Sequence, residues 1–205
     1  MNNTVNSTVA EDKKPAPQSR WKLYLVIAIC ASPLVFSYLA YYVIKPGGRT
    51  NYGTLLDPRD YPMPVLHSVL LGGPATELDA YKGKWIMLQV SSGNCLDTCK
   101  KTLTNMRQIR LIQGKDMDRI ERVLLVTDQA PIETQLLREF DGTHILRADV
   151  KAVQGWLPVD AGSSVEDRLY LIDPLGNLMM RYSVDADPNK IKKDITKLLY
   201  ASSIG

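Results

Sequence analysis

The chain has 205 residues, 45% of them hydrophobic and 23% charged, which suits one ordinary core with short additions. Its net charge of +3 is set by the first 45 residues, since acidic and basic residues number 20 each from Pro46 onward. A neutral main region excludes a nucleic-acid-binding role, which needs a basic face. Three cysteines, at 30, 95 and 99, match neither a disulfide-stapled mini-domain nor a zinc module.

Residues 1–20 are polar, with no apolar periodicity, and read as a disordered tail. Leu23–Ile44 is an uncharged run of 22 residues between Lys22 and Lys45. That length spans a bilayer core, with Trp21, Tyr24, Tyr41 and Tyr42 at the two interfaces. The rival, a cleaved signal peptide, lacks a small-residue cleavage site after the run. A permanent anchor is expected over 21–45, and Cys30 inside it reads as a small hydrophobe. Lys13, Lys14, Arg20 and Lys22 precede the run, against Lys45 and Arg49 after it. The positive-inside rule then places the N-terminus in the cytoplasm and the main domain outside. The tail is no Arg-rich transit sequence, so a single-pass protein of the bacterial inner membrane, with a periplasmic C-terminal domain, is expected. Residues 46–64, with Gly47, Gly48 and four prolines, read as a linker, leaving 65–205 as the folded domain.

Within that domain Val65–Leu71 reads as an opening strand. Trp85–Val90 is an apolar run of strand length, broken by Ser91-Ser92-Gly93-Asn94. Asn94 is the expected N-cap of a helix opened by Cys95, with Leu103, Met106, Ile109 and Ile112 at helical spacing and Gly114 as its stop. Arg122–Asp128 is a second buried-strand pattern, followed by a helix from Pro131. His144–Arg147 reads as a short strand and Val150–Leu157 as a short helix. Arg168–Asp173 and Leu178–Ser183 flank a Pro-Leu-Gly-Asn turn, a hairpin signal. Asp187-Pro188 opens a last helix with Ile191, Ile195, Leu198 and Leu199 on one face. This order of β, α, β, α, hairpin and α predicts an α/β fold, a mixed sheet flanked by helices in the thioredoxin-like manner.

The chemistry is expected at Cys95 and Cys99. A helix N-terminus favours thiolate over thiol, and Lys100 and Lys101 add positive charge, so an exposed, electropositive corner is expected there. The i, i+4 spacing on one helix face would let the sulfurs close a disulfide or share one soft metal ion. A structural disulfide is the bland alternative. His67 and His144 read as surface or satisfied histidines, and Met87, Met179 and Met180 as core. The four lysines of the last helix, at 190, 192, 193 and 197, read as a solvated face. No nucleophile elbow and no phosphate-binding glycine loop occurs.

With its anchor, Cys95-Leu-Asp-Thr-Cys99 at a strand-to-helix turn and the hairpin RLYLIDPLGNL, the chain resembles the Sco/SenC family over about Leu66–Leu199. These are membrane-anchored thioredoxin-like proteins that assist copper insertion into cytochrome c oxidase. The resemblance implies Cys95 and Cys99 as a thiol pair, catalytic or copper-ligating, and an oxidase subunit or another membrane-bound respiratory assembly protein as partner. In the reductive version, Cys95 attacks a target disulfide and Cys99 resolves it. The family's third copper ligand, a histidine shortly before the segment matched by Leu169–Pro174, has no counterpart here: Ser163-Ser164-Val165-Glu166-Asp167 stands there. Leu96 likewise replaces the family's proline. A general envelope thiol–disulfide oxidoreductase and a non-catalytic thioredoxin-like adaptor remain the alternatives.

Overall fold

A computed structural model describes residues 20–44 and 51–202. The tail expected over 1–20 lies outside the described residues except for Arg20, as do residues 45–50 of the anchor's end and the linker. The chain divides into two units, residues 1–49 and 50–205.

In the first unit, α1 (Trp21–Leu39) runs on into one π-helical turn at Ala40–Ile44. Among the described residues, Trp21–Tyr42 is the one helix long and apolar enough to cross a membrane. None of its side chains is buried against protein. A helix apolar all round suits lipid as its solvent. Pro33 lies inside it, where it forfeits one backbone hydrogen bond.

The second unit is built on one seven-stranded sheet among the described residues, in the order β1-β7-β6-β3-β4-β5-β2. At its centre β3 (Trp85–Ser91) pairs in parallel with β4 (Ile120–Val126), and β4 with β5 (His144–Arg147). On the other side β3 pairs antiparallel with β6 (Arg168–Ile172), which forms a hairpin with β7 (Leu178–Ser183). Every residue of β3 is buried, as a strand covered on both faces must be. Trp85 and Met87 point into one core with Leu103, Met106 and Ile109, while Ile86, Leu88 and Val90 point into the other with Val153 and Trp156. The first layer is supplied by α2 (Asp97–Ile112), α3 (Thr134–Glu139) and α5 (Pro188–Ala201), the second by α4 (Val150–Trp156).

Local signals act as expected at several ends. Asp149 and Asp187 cap α4 and α5, accepting hydrogen bonds from Ala152 N and Asn189 N at 2.9 Å each. In the hairpin turn Asp173 Oδ1 accepts from Leu175 N at 3.0 Å and Asn177 N at 2.8 Å, and Gly176 takes the left-handed φ of 92° that closes it.

Two expectations need correction. The stretch expected to be linker already belongs to the sheet: β1 (Thr54–Leu55) pairs with the edge of β7, and Gly53 packs so tightly on Met180 and Tyr182 that a Cβ would lie 2.5 Å from both. The amides of Tyr52 and Gly53 donate to buried Asp194 of α5 at 2.8 and 2.9 Å, a long-range bond that composition cannot reveal. The opening strand expected over Val65–Leu71 shrinks to β2 (Val69–Leu70), paired with β5. Glu77 accepts from the amides of Leu66 and Ser68 and holds the preceding residues out of the ladder.

Candidate functional site

The site is the turn from β3 to α2. Here the backbone departs from the expected path. The helix starts two residues later, with Leu96 as N-cap and no side-chain cap. Cys95 lies before the helix in a left-handed turn, φ 37°, with its amide donating to Ser92 O at 3.2 Å. For a residue with a Cβ this conformation is strained, and such strain persists only where the surroundings impose it. Cys99 is the third residue of α2, so the two sulfurs do not share a helix face. The turn nevertheless joins them in a disulfide, with the Cα atoms 5.1 Å apart.

A brace behind the turn imposes this geometry. Gly93 N donates to Asp128 Oδ1 at 2.8 Å, and Ala130 N donates to the same oxygen at 3.2 Å. A Cβ at Gly93 would sit 2.4 Å from the Ala130 carbonyl oxygen, so only glycine fits. Arg147 from β5 fixes that second loop, donating to the carbonyls of Asp128 and Ala130.

The expectation of an exposed, electropositive corner is overturned. Cys95 is 1% exposed and Cys99 6%, because both pack into the core beneath the exposed residues Leu96–Thr98. Lys100 and Lys101 face carboxylates instead, Glu133 at 3.6 Å and Asp185 at 3.4 Å. What opens beside the disulfide is a cleft of about 220 Å³. Cys99, Leu96 and Thr98 from the start of α2, Gln89 and Ser91 from β3, and Glu166 and Asp167 from the turn before β6 line it. Partial desolvation raises the Glu166 carboxyl above its ordinary value, and the charges of Asp167 and Asp128 push the same way. Gln89 is 1% exposed, and its side-chain oxygen is buried without a hydrogen-bond partner.

Sequence reasoning passed over these three residues, although each left a signal. Gln89 is the one amide in a strand read as buried. Glu166 and Asp167 stand where the resembled family carries its histidine, and charge at that place went unread.

The other expected bystanders of the second unit do not line the cleft. His144 Nε2 meets Glu121 at 3.2 Å, and its ring stacks on Tyr81 with centroids 4.4 Å apart. His67 is exposed, with φ 49°. Met87 and Met180 are core, Met179 packs against them, and Cys30 is a free, exposed thiol on α1. Among the described residues no group of three or more His, Cys, Asp or Glu side chains is placed to hold a metal ion. A soft ion such as Cu(I) would find two sulfur donors once the disulfide was reduced, next to hard carboxylates of the wrong chemistry.

Solved Sco proteins share this architecture. Copper-bound ScoI of Bradyrhizobium japonicum is 18% identical, with a TM-score of 0.52 over 66% of this chain and 98% of that one. Copper-bound Sco1 of yeast is 14% identical, with a TM-score of 0.57 over 69% of this chain and 94% of that one. BsSco, a Sco-family cytochrome c oxidase assembly protein with a disulfide switch, is 15% identical, with a TM-score of 0.53 over 73% and 99%. At such identities the likeness is one of fold. No curated protein sequence matches significantly. A family model described as transmembrane-like, thioredoxin-like, C-terminal domain matches residues 85–202, from the first residue of β3 to just past α5. With more than half of its length inside that match, the chain belongs to this transmembrane-like, thioredoxin-like family.

Proposed function

We propose that the chain is a membrane-tethered assembly factor of the Sco kind, whose Cys95–Cys99 pair reduces the copper-ligating cysteines of a cytochrome c oxidase subunit or of another membrane-bound respiratory assembly protein. One observation carries the reading: a disulfide at a strained strand-to-helix turn, beside a cleft large enough to admit another sulfur. Thiol–disulfide exchange needs those two sulfurs and access to one of them, and no third ligand. The shared fold with copper-bound Sco proteins supports the respiratory setting. The apolar helix supports a tether, which confines the search to the membrane surface and raises the effective concentration at a membrane partner. The excess of lysine and arginine before that helix favours a bacterial inner-membrane protein with its domain in the periplasm.

A second reading keeps the same sulfurs but gives them Cu(I) as cargo. The two thiolates suit that soft ion, while Glu166 and Asp167 in the place of a histidine weaken the case. The test is oxidase activity in a strain lacking the protein, complemented with a Cys95→Ser/Cys99→Ser chain. Loss of activity that added dithiothreitol restores supports the reductase. Restoration by copper salt alone favours the carrier. Full rescue by the double-serine chain overturns both and leaves an adaptor.

A further inference from the structure

We propose that Cys99, not Cys95, is the sulfur that meets the partner, and that the partner's reactive cysteine is flanked by positive charge. This rests on the thiol-exchange reading above and assigns its order and its substrate class. Cys99 forms part of the cleft wall, whereas Cys95 does not border the cleft and is tucked into the core with 1% exposure. A sulfur arriving through the cleft therefore encounters Cys99 first. Cys95 is the sulfur behind it, held in a left-handed turn whose amide is already bonded to Ser92 O.

The helix start completes the arrangement. Leu96 offers no side-chain acceptor, so the first-turn amides of α2 are not satisfied by a cap. Cys95 stands one residue before that cap, where a negatively charged sulfur released from the disulfide gains from the helix N-terminus. In the reductive direction, the Cys99 thiolate attacks a partner disulfide. A Cys99–partner bond forms, and the departing partner sulfur carries off the electron pair and takes a proton from water. The Cys95 thiolate then attacks Cys99 Sγ, the mixed disulfide breaks, and the second partner sulfur leaves as a thiolate. The partner gains two electrons and Cys95–Cys99 is oxidised. The reverse sequence, driven by a partner dithiol, reduces it again.

The cleft lining selects the partner's charge. Glu166 and Asp167 border the cleft, while the nearest helix lysines, Lys100 and Lys101, have carboxylates of their own beside them, Glu133 at 3.6 Å and Asp185 at 3.4 Å. The mutual repulsion of these carboxylates is relieved by an incoming cation.

The experiment uses the full chain in lipid nanodiscs with Cys30→Ser throughout, carrying either Cys95→Ser or Cys99→Ser. Each reduced chain is mixed with cystamine, a dicationic disulfide, or with dianionic 3,3′-dithiodipropionate, and mixed-disulfide formation is followed by mass spectrometry. We expect the Cys95→Ser chain to react at least about tenfold faster than the Cys99→Ser chain. We also expect it to prefer cystamine by about tenfold at low salt, with Glu166→Gln narrowing that gap. As a check free of serine substitutions at the pair, the oxidised chain treated briefly with cysteamine and quenched in acid should carry the adduct on Cys99. A faster Cys99→Ser chain, or an adduct on Cys95, overturns the order and leaves thiol exchange standing. Rates for both chains no higher than in urea overturn thiol exchange and the order with it. Equal rates with the two probes overturn the cationic partner.

Discussion

The two ends of the parallel strands handle charge in opposite ways. At the N-terminal end, Glu121 of β4 is bound on both sides, by Lys84 at 2.6 Å and by His144 at 3.2 Å, with Tyr81 stacked on the histidine. Burial would raise the Glu121 carboxyl, but the hydrogen bonds and charges of Lys84 and His144 outweigh it and hold the group below its ordinary value. At the C-terminal end Asp128 is spent on backbone amides, a non-glycine residue is strained, and Glu166 has like charges for neighbours. One end neutralises its charges and lends stability. The other leaves strain and repulsion in place, which is where a fold of this type keeps its chemistry.

Substitutions at each end sharpen this contrast. Gly93→Ala should have the largest effect, because its Cβ would collide with a backbone carbonyl that Arg147 also holds. We expect a loss of about 3 kcal/mol in urea unfolding, with slower thiol exchange, since overpacking against fixed backbone has no cheap relief. Unchanged exchange alongside lost stability would separate the brace from the chemistry.

Glu121→Gln should cost about 1 kcal/mol at pH 7 and leave thiol exchange intact. Its pH dependence follows from the lowered carboxyl. The fold favours the ionised form, so its contribution is complete above the unfolded value near 4.5 and fades as pH falls through the lower folded value. The wild-type chain should lose this increment on acidification and the Gln chain should not; parallel acid limbs would show that the cluster contributes nothing. Lys101→Ala should be the smallest, within about 0.5 kcal/mol, because its pair with Asp185 is exposed on both sides. A larger shift in melting temperature would mean that surface charge contributes to stability at this end.

Much of the fold was legible because local signals agreed with the tertiary outcome. His144–Arg147 is a strand over the expected residues, and Asp187-Pro188 starts α5 where capping and proline chemistry say it should. Ile191, Ile195 and Leu199 bury the face that their spacing defined. The Cys stretch was legible as a junction and illegible as a conformation. Asn94 is a better cap than Leu96, but the Gly93–Asp128 bond and the disulfide decide where the helix begins. Both involve positions far from the turn or strain within it, and propensity carries neither. The two-residue strands β1 and β2 have too few residues for any alternation to show. Engagement of the lysines depends on Glu133 at the start of α3 and on Asp185 in the segment after β7, so residue spacing alone misjudged the local charge.

The carboxylate of Asp194 has a mechanical meaning. By gripping the amides of residues 52 and 53 it stitches the beginning of the folded unit to its final helix. Tension along the polypeptide from the anchor's side is thereby borne by α5 as well as by the edge ladder of β1 on β7, and peeling must undo both together. Shortening the C-terminal helix would accordingly fray the opposite terminus.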